Sequence, residues 1–228
     1  MKKIRKDIGL ILILLITSVS AFSVELDSKN RDAKYVQTIL ERSSKIVVQL
    51  HLKDTVKAHQ VTNIIANRYF KLNDIYNRRD SIVNDAKNAT SLSKEEKNKL
   101  VEAAQNEKDA ALYKSHFAFD ADLSIFLNPK QIELVKDGLT YNVVKVTYDA
   151  TLDMIPTLTK EEKVQILAWL KEARELAIDA ESSNKKHEMF GKYKGRINNY
   201  LSKRGYDLVK EREAWYKRIE DRKGKKKK

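Results

Sequence analysis

Apolar residues return at helical spacing along most of the chain. Between Asp32 and Leu50, the residues Tyr35, Val36, Ile39, Leu40, Ile46, Val47 and Leu50 recur at steps of three and four. Positions three and four apart share a helix face, so this is one stripe of an amphipathic helix. From Asp54 to Asn88 the stripe continues through Val61, Ile64, Ile65, Leu72, Ile75, Ile82 and Val83, with no Gly or Pro to interrupt it. That pattern predicts a single helix about 45–50 Å long. Asn88-Ala89-Thr90-Ser91 reads as a loop.

Three helix starts follow, each with Ser, Asn or Thr three residues before Glu or Gln: Ser93 and Glu96, Asn128 and Gln131, Thr159 and Glu162. In such a box the cap side chain accepts from the N3 amide and the N3 side chain bonds back to the cap amide. Pro129 stands at a first helical position, where a missing N–H is harmless. Gly138 is expected to end that helix as a left-handed residue. Leu139 to Tyr148 is the least helical stretch. Its β-branched run Val143–Tyr148 reads as an ordered connector to a short helix before Pro156. Lys160–Ala180 is predicted as a helix with Val164, Leu167, Leu170 and Ala177 on one face. Asn184 to about Arg204 is predicted as another, carrying Gly191 and Gly195 and closed by Gly205. Asp207 caps a last helix through Arg222, with Trp215 and Ile219 inward. The expected fold is all-α, a single bundle of seven to eight helices around one core.

The chain ends differ from this body. Lys2, Lys3, Arg5 and Lys6 precede the apolar run Ile8–Ile16, and Val19 and Ala21 stand where an export signal is cut. The run falls short of the roughly 20 residues that span a bilayer. The expected organisation is a signal peptide over 1–21, a helical domain over 22–222 and a basic disordered tail over 223–228. The expected location is periplasmic or secreted, with no membrane span after cleavage.

The 45 Lys and Arg against 32 Asp and Glu give a formal charge of +13. Residues 1–21 hold four positive charges and one negative, so the mature chain carries +13 − 3 = +10. Six more positive charges lie in the tail from Arg222, leaving the body near +4. Basicity gathered at the termini of an exported chain points to an anionic surface or polysaccharide rather than to nucleic acid. The absence of Cys excludes disulfides, thiolate metal sites and a thiol nucleophile. The Gly-rich phosphate loops are also absent. His51, His59, His116 and His187 include no pair four residues apart and no H-E-x-x-H, so no metal or cofactor is expected. Glu172, Glu175 and Asp179 share one helix face, as paired carboxylates in glycoside cleavage must share a site. Lys171 and Glu175 also form an ordinary pair four apart. No catalytic residue is singled out.

Candidate ligand-binding residues lie in two polar runs. In Glu181–Tyr200, Lys192, Arg196 and Asn199 fall on one face and can hold a carboxylate or sulfate. Tyr193 and Tyr200 can stack on a sugar ring or pack, and His187 lies in the same run. Gly191 and Gly195 inside the helix call for something close-packed, a neighbouring backbone or a ligand, because mid-helix Gly costs about 1 kcal/mol against Ala. In Asn73–Asp80, Asn73 and Arg79 are the candidates. Arg79 stands on or beside the stripe of Leu72 and Ile75, so it must be paired or face a polar pocket. Lys136, Thr140 and Tyr141, around Gly138, form a third, weaker group.

The segments Lys136–Tyr141, Ile155–Thr159, Trp169–Glu175 and Phe190–Leu201 through Asp207, with Leu72–Tyr76 and Arg79-Asp80, resemble a family of exported proteins of unknown function from Bacteroidetes-type bacteria. The resemblance implies an exported all-helical protein, often encoded near polysaccharide-degradation genes, and carries over no catalytic residue. More faintly, Leu158-Thr159 and Leu127 with Gln131 resemble the L-T-x-x-Q motif of small periplasmic helical chaperones, with Glu162 in place of the Gln and Asn128 in place of the Thr. The functional expectation is an accessory protein of glycan use that binds an anionic oligosaccharide or an exported protein. Lys192, Tyr193 and Arg196 would line a concave surface with Arg79. The alternatives are a periplasmic chaperone and a lyase or hydrolase of uronic-acid sugars with Tyr193 or His187 as base.

Overall fold

The computed structural model describes residues 23–225. The expected signal peptide therefore lies outside the described residues, as do 226–228. Eight helices occupy them, with no strand among the described residues: α1 Ala33–Val48, α2 Thr55–Asn88, α3 Lys94–Phe126, α4 Pro129–Leu139, α5 Val143–Met154, α6 Lys160–Ala177, α7 Ser183–Lys203 and α8 Leu208–Lys225. The fold is all-α. No described helix is long and apolar enough to cross a membrane.

Local chemistry places most of the boundaries. Asp32 and Asp54 accept from the backbone N–H groups of Tyr35 and Lys57 and so cap α1 and α2. All three reciprocal capping boxes are present, at Ser93/Glu96, Asn128/Gln131 and Thr159/Glu162. Ser182 caps α7, and Gly205, at φ +94°, turns the chain out of it toward α8. A single bond would not hold these ends, but each cap satisfies an otherwise orphaned amide.

Packing overrides the sequence reading at several places. Gly138 does not end α4, and the left-handed residues are Tyr141 (φ 58°) and Asn142 (φ 56°), three and four positions on. The run read as a connector, Val143–Tyr148, opens helix α5 instead. An isolated strand would have had no partner, whereas a helix satisfies its own backbone. Val164 faces solvent, and α6 buries Ile166, Leu170, Ala173, Arg174 and Ala177. Helix α8 runs on to Lys225, so residues 223–225 of the expected tail are helical. It docks on α5 through Asp153, which accepts from Trp215 Nε1 at 2.6 Å and pairs with Arg222 at 2.7 Å.

The apolar interior is divided rather than single. One large cluster joins α1 to α4 around Val61, Ile65, Leu123 and Val135. A second joins α5, α6 and α7 around Ile166, Leu170, Phe190 and Leu201. A small third, of Ile39, Ala66 and Phe70, lies between α1 and α2. Charge links the two halves. Arg174 of α6, 1% exposed, pairs with Glu133 and Asp137 of α4 and with its neighbour Glu175. Lys136 of α4 pairs with Asp120 of α3 and Glu175 of α6 at 2.7 and 2.8 Å. Arg68 of α2 meets Ser115 of α3 and Asp179, just past α6.

Candidate functional site

A large recess opens where α1 and α2 face the turns into α5 and α7. It encloses about 760 Å³. Four phenols line it: Tyr35 from α1, Tyr69 and Tyr76 from α2, and Tyr141 from the left-handed turn. Its cations are Arg42 and Lys45 on α1 and Lys186 on α7, and Asn73, Asn77, Ser182 and Ser183 add amides and hydroxyls. The chain places these groups in a simple way. Ile39 and Ile46 turn inward on α1, which leaves Tyr35, Arg42 and Lys45 along the neighbouring edge. Leu72 and Ile75 do the same on α2, leaving Asn73, Tyr76 and Asn77 at the wall.

The electrostatics of the cleft are positive. Arg42 and Lys45 have no carboxylate partner among the described residues. The two acids on the wall, Asp80 and Glu181, are both held by Arg79, at 2.7 and 2.8 Å. The first turn of α7 also presents its positive end here. Burial pushes the Tyr69 phenol up to about 12 and draws the Lys186 ammonium down to about 8. Lys186 Nζ donates to the Leu139 carbonyl at 2.9 Å, and Tyr76 Oη donates to the Asp179 carbonyl at 2.7 Å.

The candidates from sequence scatter over three places. Asn73 lines the large cleft. Arg79 and Lys192 line a second, smaller recess between α2, α3 and α7, which shares Tyr76, Ala180 and Glu181 with the first. Lys192 also borders an open depression on the outer face of α7, together with Trp169, Gly195, Arg196, Asn199, Tyr200 and Lys203. There Arg196 is already engaged, 4.5 Å from the Trp169 ring and 3.4 Å from Glu172. Tyr193 and Tyr200 pack against the α5–α7 cluster, Tyr200 edge-on to Trp169 at 5.1 Å. His187 stacks on Tyr141 at 5.5 Å, on the rim of the large cleft. The expected single concave surface of Lys192, Tyr193, Arg196 and Arg79 therefore does not form. A neighbouring backbone, one of the two things expected at Gly191 and Gly195, is absent among the described residues. Beyond the helix's own backbone, nothing lies within 4 Å of the place a Cβ would take at either.

The three carboxylates expected on one helix face, Glu172 and Glu175 of α6 and Asp179 just past it, separate too. Glu172 faces outward to Arg196, while Glu175 and Asp179 enter the ionic seam around His116. Lys171 pairs with Glu133 rather than with Glu175. His116, Asp120 and Glu175 offer ligand atoms within 4.8 Å of one another, a grouping that spacing could not reveal because two helices supply it. The Lys136 ammonium stands among these acids and supplies the cationic charge. Of the third sequence group, Lys136 and Thr140 are buried in structural bonds and only Tyr141 reaches the cleft.

Arg42, Tyr35, Tyr69 and Lys186 escape the sequence reading. Lys186 nevertheless carries a legible signal. It stands four residues before Phe190 on the buried stripe of α7, where a lysine is out of place.

Residues 36–221 match the model of a family described as a protein of unknown function (DUF3826), and the chain belongs to that family. No curated protein matches it.

Proposed function

We propose that this DUF3826 chain binds an anionic oligosaccharide in the cleft of Tyr35, Tyr69, Tyr76 and Tyr141. One observation carries the reading: four phenols line one recess with two cations, Arg42 and Lys45, that form no ion pair among the described residues. Phenol rings offer flat apolar area to sugar faces and a hydroxyl to their rims. Arg42 can fork onto a carboxylate, and Asn73, Asn77, Ser182 and Ser183 match sugar hydroxyls in chemistry. The volume, about 760 Å³, suits a few sugar rings. The basic, apolar and small-residue order of residues 1–21 adds an export signal to this reading, which puts the chain in the periplasm or outside the cell.

The same chemistry on the outer face of α7 is weaker, because Arg196 is committed to Trp169 and Glu172. Calorimetric titration of residues 22–228 with trigalacturonate separates the two faces. Arg42→Ala is expected to weaken binding about tenfold, the loss of one charged hydrogen bond, with Arg196→Ala unchanged. Loss on Arg196→Ala alone would return the site to α7. No heat with trigalacturonate at low salt would overturn the reading.

A further inference from the structure

We infer that Lys186 is a covalent-capture residue, whose Nζ condenses with the carbonyl carbon of an anionic aldehyde or ketone held in the large cleft. The inference rests on the anionic-ligand reading of that cleft and adds to it the class of ligand: one that presents a carbonyl, as the reducing end of a uronic acid does.

Lys186 is buried, at 6% exposure, yet its ammonium has no carboxylate within 4 Å among the described residues. The other buried cations of the chain are treated differently. Lys136 has two acids, Arg174 three and Arg68 one. Lys186 has only the Leu139 carbonyl at 2.9 Å and the Tyr69 ring at 5.8 Å. A buried amine without a counter-ion loses its proton readily, which turns it into a nucleophile.

The surroundings agree. Burial is the main cause that draws the ammonium down to about 8, with Asp179 opposing and Arg68 assisting. The positive end of α7 acts in the same direction as burial. At pH 8 a surface lysine is neutral to under about 1%, so Lys186 has about a hundred-fold larger neutral fraction. Tyr69, whose phenol stays protonated, lies on the same wall and can give a proton to a carbonyl oxygen. Tyr141, two residues past the carbonyl that Lys186 holds, is at positive φ, a strained backbone of the kind that gathers at ligand sites.

The step balances without a co-reactant. The neutral amine adds to the carbonyl carbon, the oxygen takes a proton, and water leaves as the C=N bond forms. Hydrolysis reverses it.

The test uses the whole mature chain with pyridoxal 5′-phosphate, an anionic aldehyde, trapped by cyanoborohydride at pH 8 and located by peptide mass mapping. The expected result is an adduct on Lys186 formed about a hundred-fold faster than on surface lysines and slowed by trigalacturonitol, which keeps the acids but lacks the aldehyde. Lys186→Met, checked for fold by circular dichroism, should lose it. Labels spread over surface lysines, with Lys186 unmodified while trigalacturonitol still binds, would overturn the inference and leave the binding reading intact. Failure of trigalacturonitol to bind at all would overturn that reading instead.

Discussion

Gly138 passes beneath Ile46 so closely that a Cβ at 138 would stand 2.9 Å from Ile46 Cγ2 and 3.1 Å from Cγ1. The contact locks α4 to α1 at the floor of the cleft, and it is the reason a glycine stands in the last turn of α4.

Gly138→Ala should therefore destabilise the fold, despite the better helix propensity of Ala. Overpacking costs about 1–3 kcal/mol and the propensity gain is about 1. Ile46 is β-branched and buried, so it cannot simply swing aside. In an Ile46→Ala background the obstacle is gone, and the same substitution should become stabilising. Urea midpoints of the four variants check the reversal of sign.

Gly191 and Gly195 present the opposite case. Both lie inside α7, and a methyl group added at either would meet nothing within 4 Å beyond the helix's own backbone. Each change to Ala should raise stability by about 1 kcal/mol. A loss of trigalacturonate binding by Gly195→Ala would show that the outer face of α7 takes the ligand after all.

Arg174 and Lys171 both reach Glu133, at 2.6 and 2.8 Å, but Arg174 is buried and Lys171 is half exposed. Arg174→Ala should cost about 3–5 kcal/mol, since it leaves Asp137 unpaired in the seam. Lys171→Ala should cost less than about 1. Burial opposes ionisation of Glu133, yet the hydrogen bonds from Arg174 and Lys171 outweigh it and hold the carboxyl at about 2. Its contribution is complete above the ordinary glutamate range and is lost as pH falls from about 4.5 toward 2. Denaturation curves from pH 5 to 2 should show Glu133→Gln less acid-sensitive than the parent.

His116 Nδ1–H donates to the Asp179 carboxylate at 2.9 Å, and that bond raises its pKa against the opposing effect of burial. A raised histidine stabilises fully below its unfolded value near 6.5, and the contribution fades as pH rises through the folded value. Melting temperatures between pH 6 and 8, below the window in which Lys186 acts, should fall for the parent, and the fall should be smaller in His116→Gln.

Lys186 has the reverse sign. Its folded value, about 8, lies below the ordinary 10.5, so the folded state is penalised while the group is protonated and gains stability as pH rises from 8 to 10.5. The melting temperature of Lys186→Met relative to the parent should be highest near pH 7 and decline across that window. A difference independent of pH would show that the ammonium is not held at a cost.

Several residues show how far the helical code carries. Ser93, Asn128 and Thr159 each act through partners three positions away, so their role can be read along the chain. Arg79 can be read as needing a partner, because it stands beside the stripe of Leu72 and Ile75. Which acid answers it from afar, Glu181, depends on the turn after α6. Val143–Tyr148 misleads because β-branched propensity is weak and the choice between strand and helix falls to neighbours.

The all-α class, the three capping boxes, the long α2 and most of the inward stripes were legible along the chain, since each rests on residues within one or two turns, while Val164 and the cap at Ser182 were not. The divided core, the ionic seam and the cleft arise only when the helices pack. Tyr35, Tyr76, Tyr141 and Lys186 come from four separate segments, and no local spacing encodes their meeting. Charge follows the same rule. Lys136 and Lys186 look alike as letters, but one is packed against two carboxylates and the other against a carbonyl, and only that packing sets their chemistry apart.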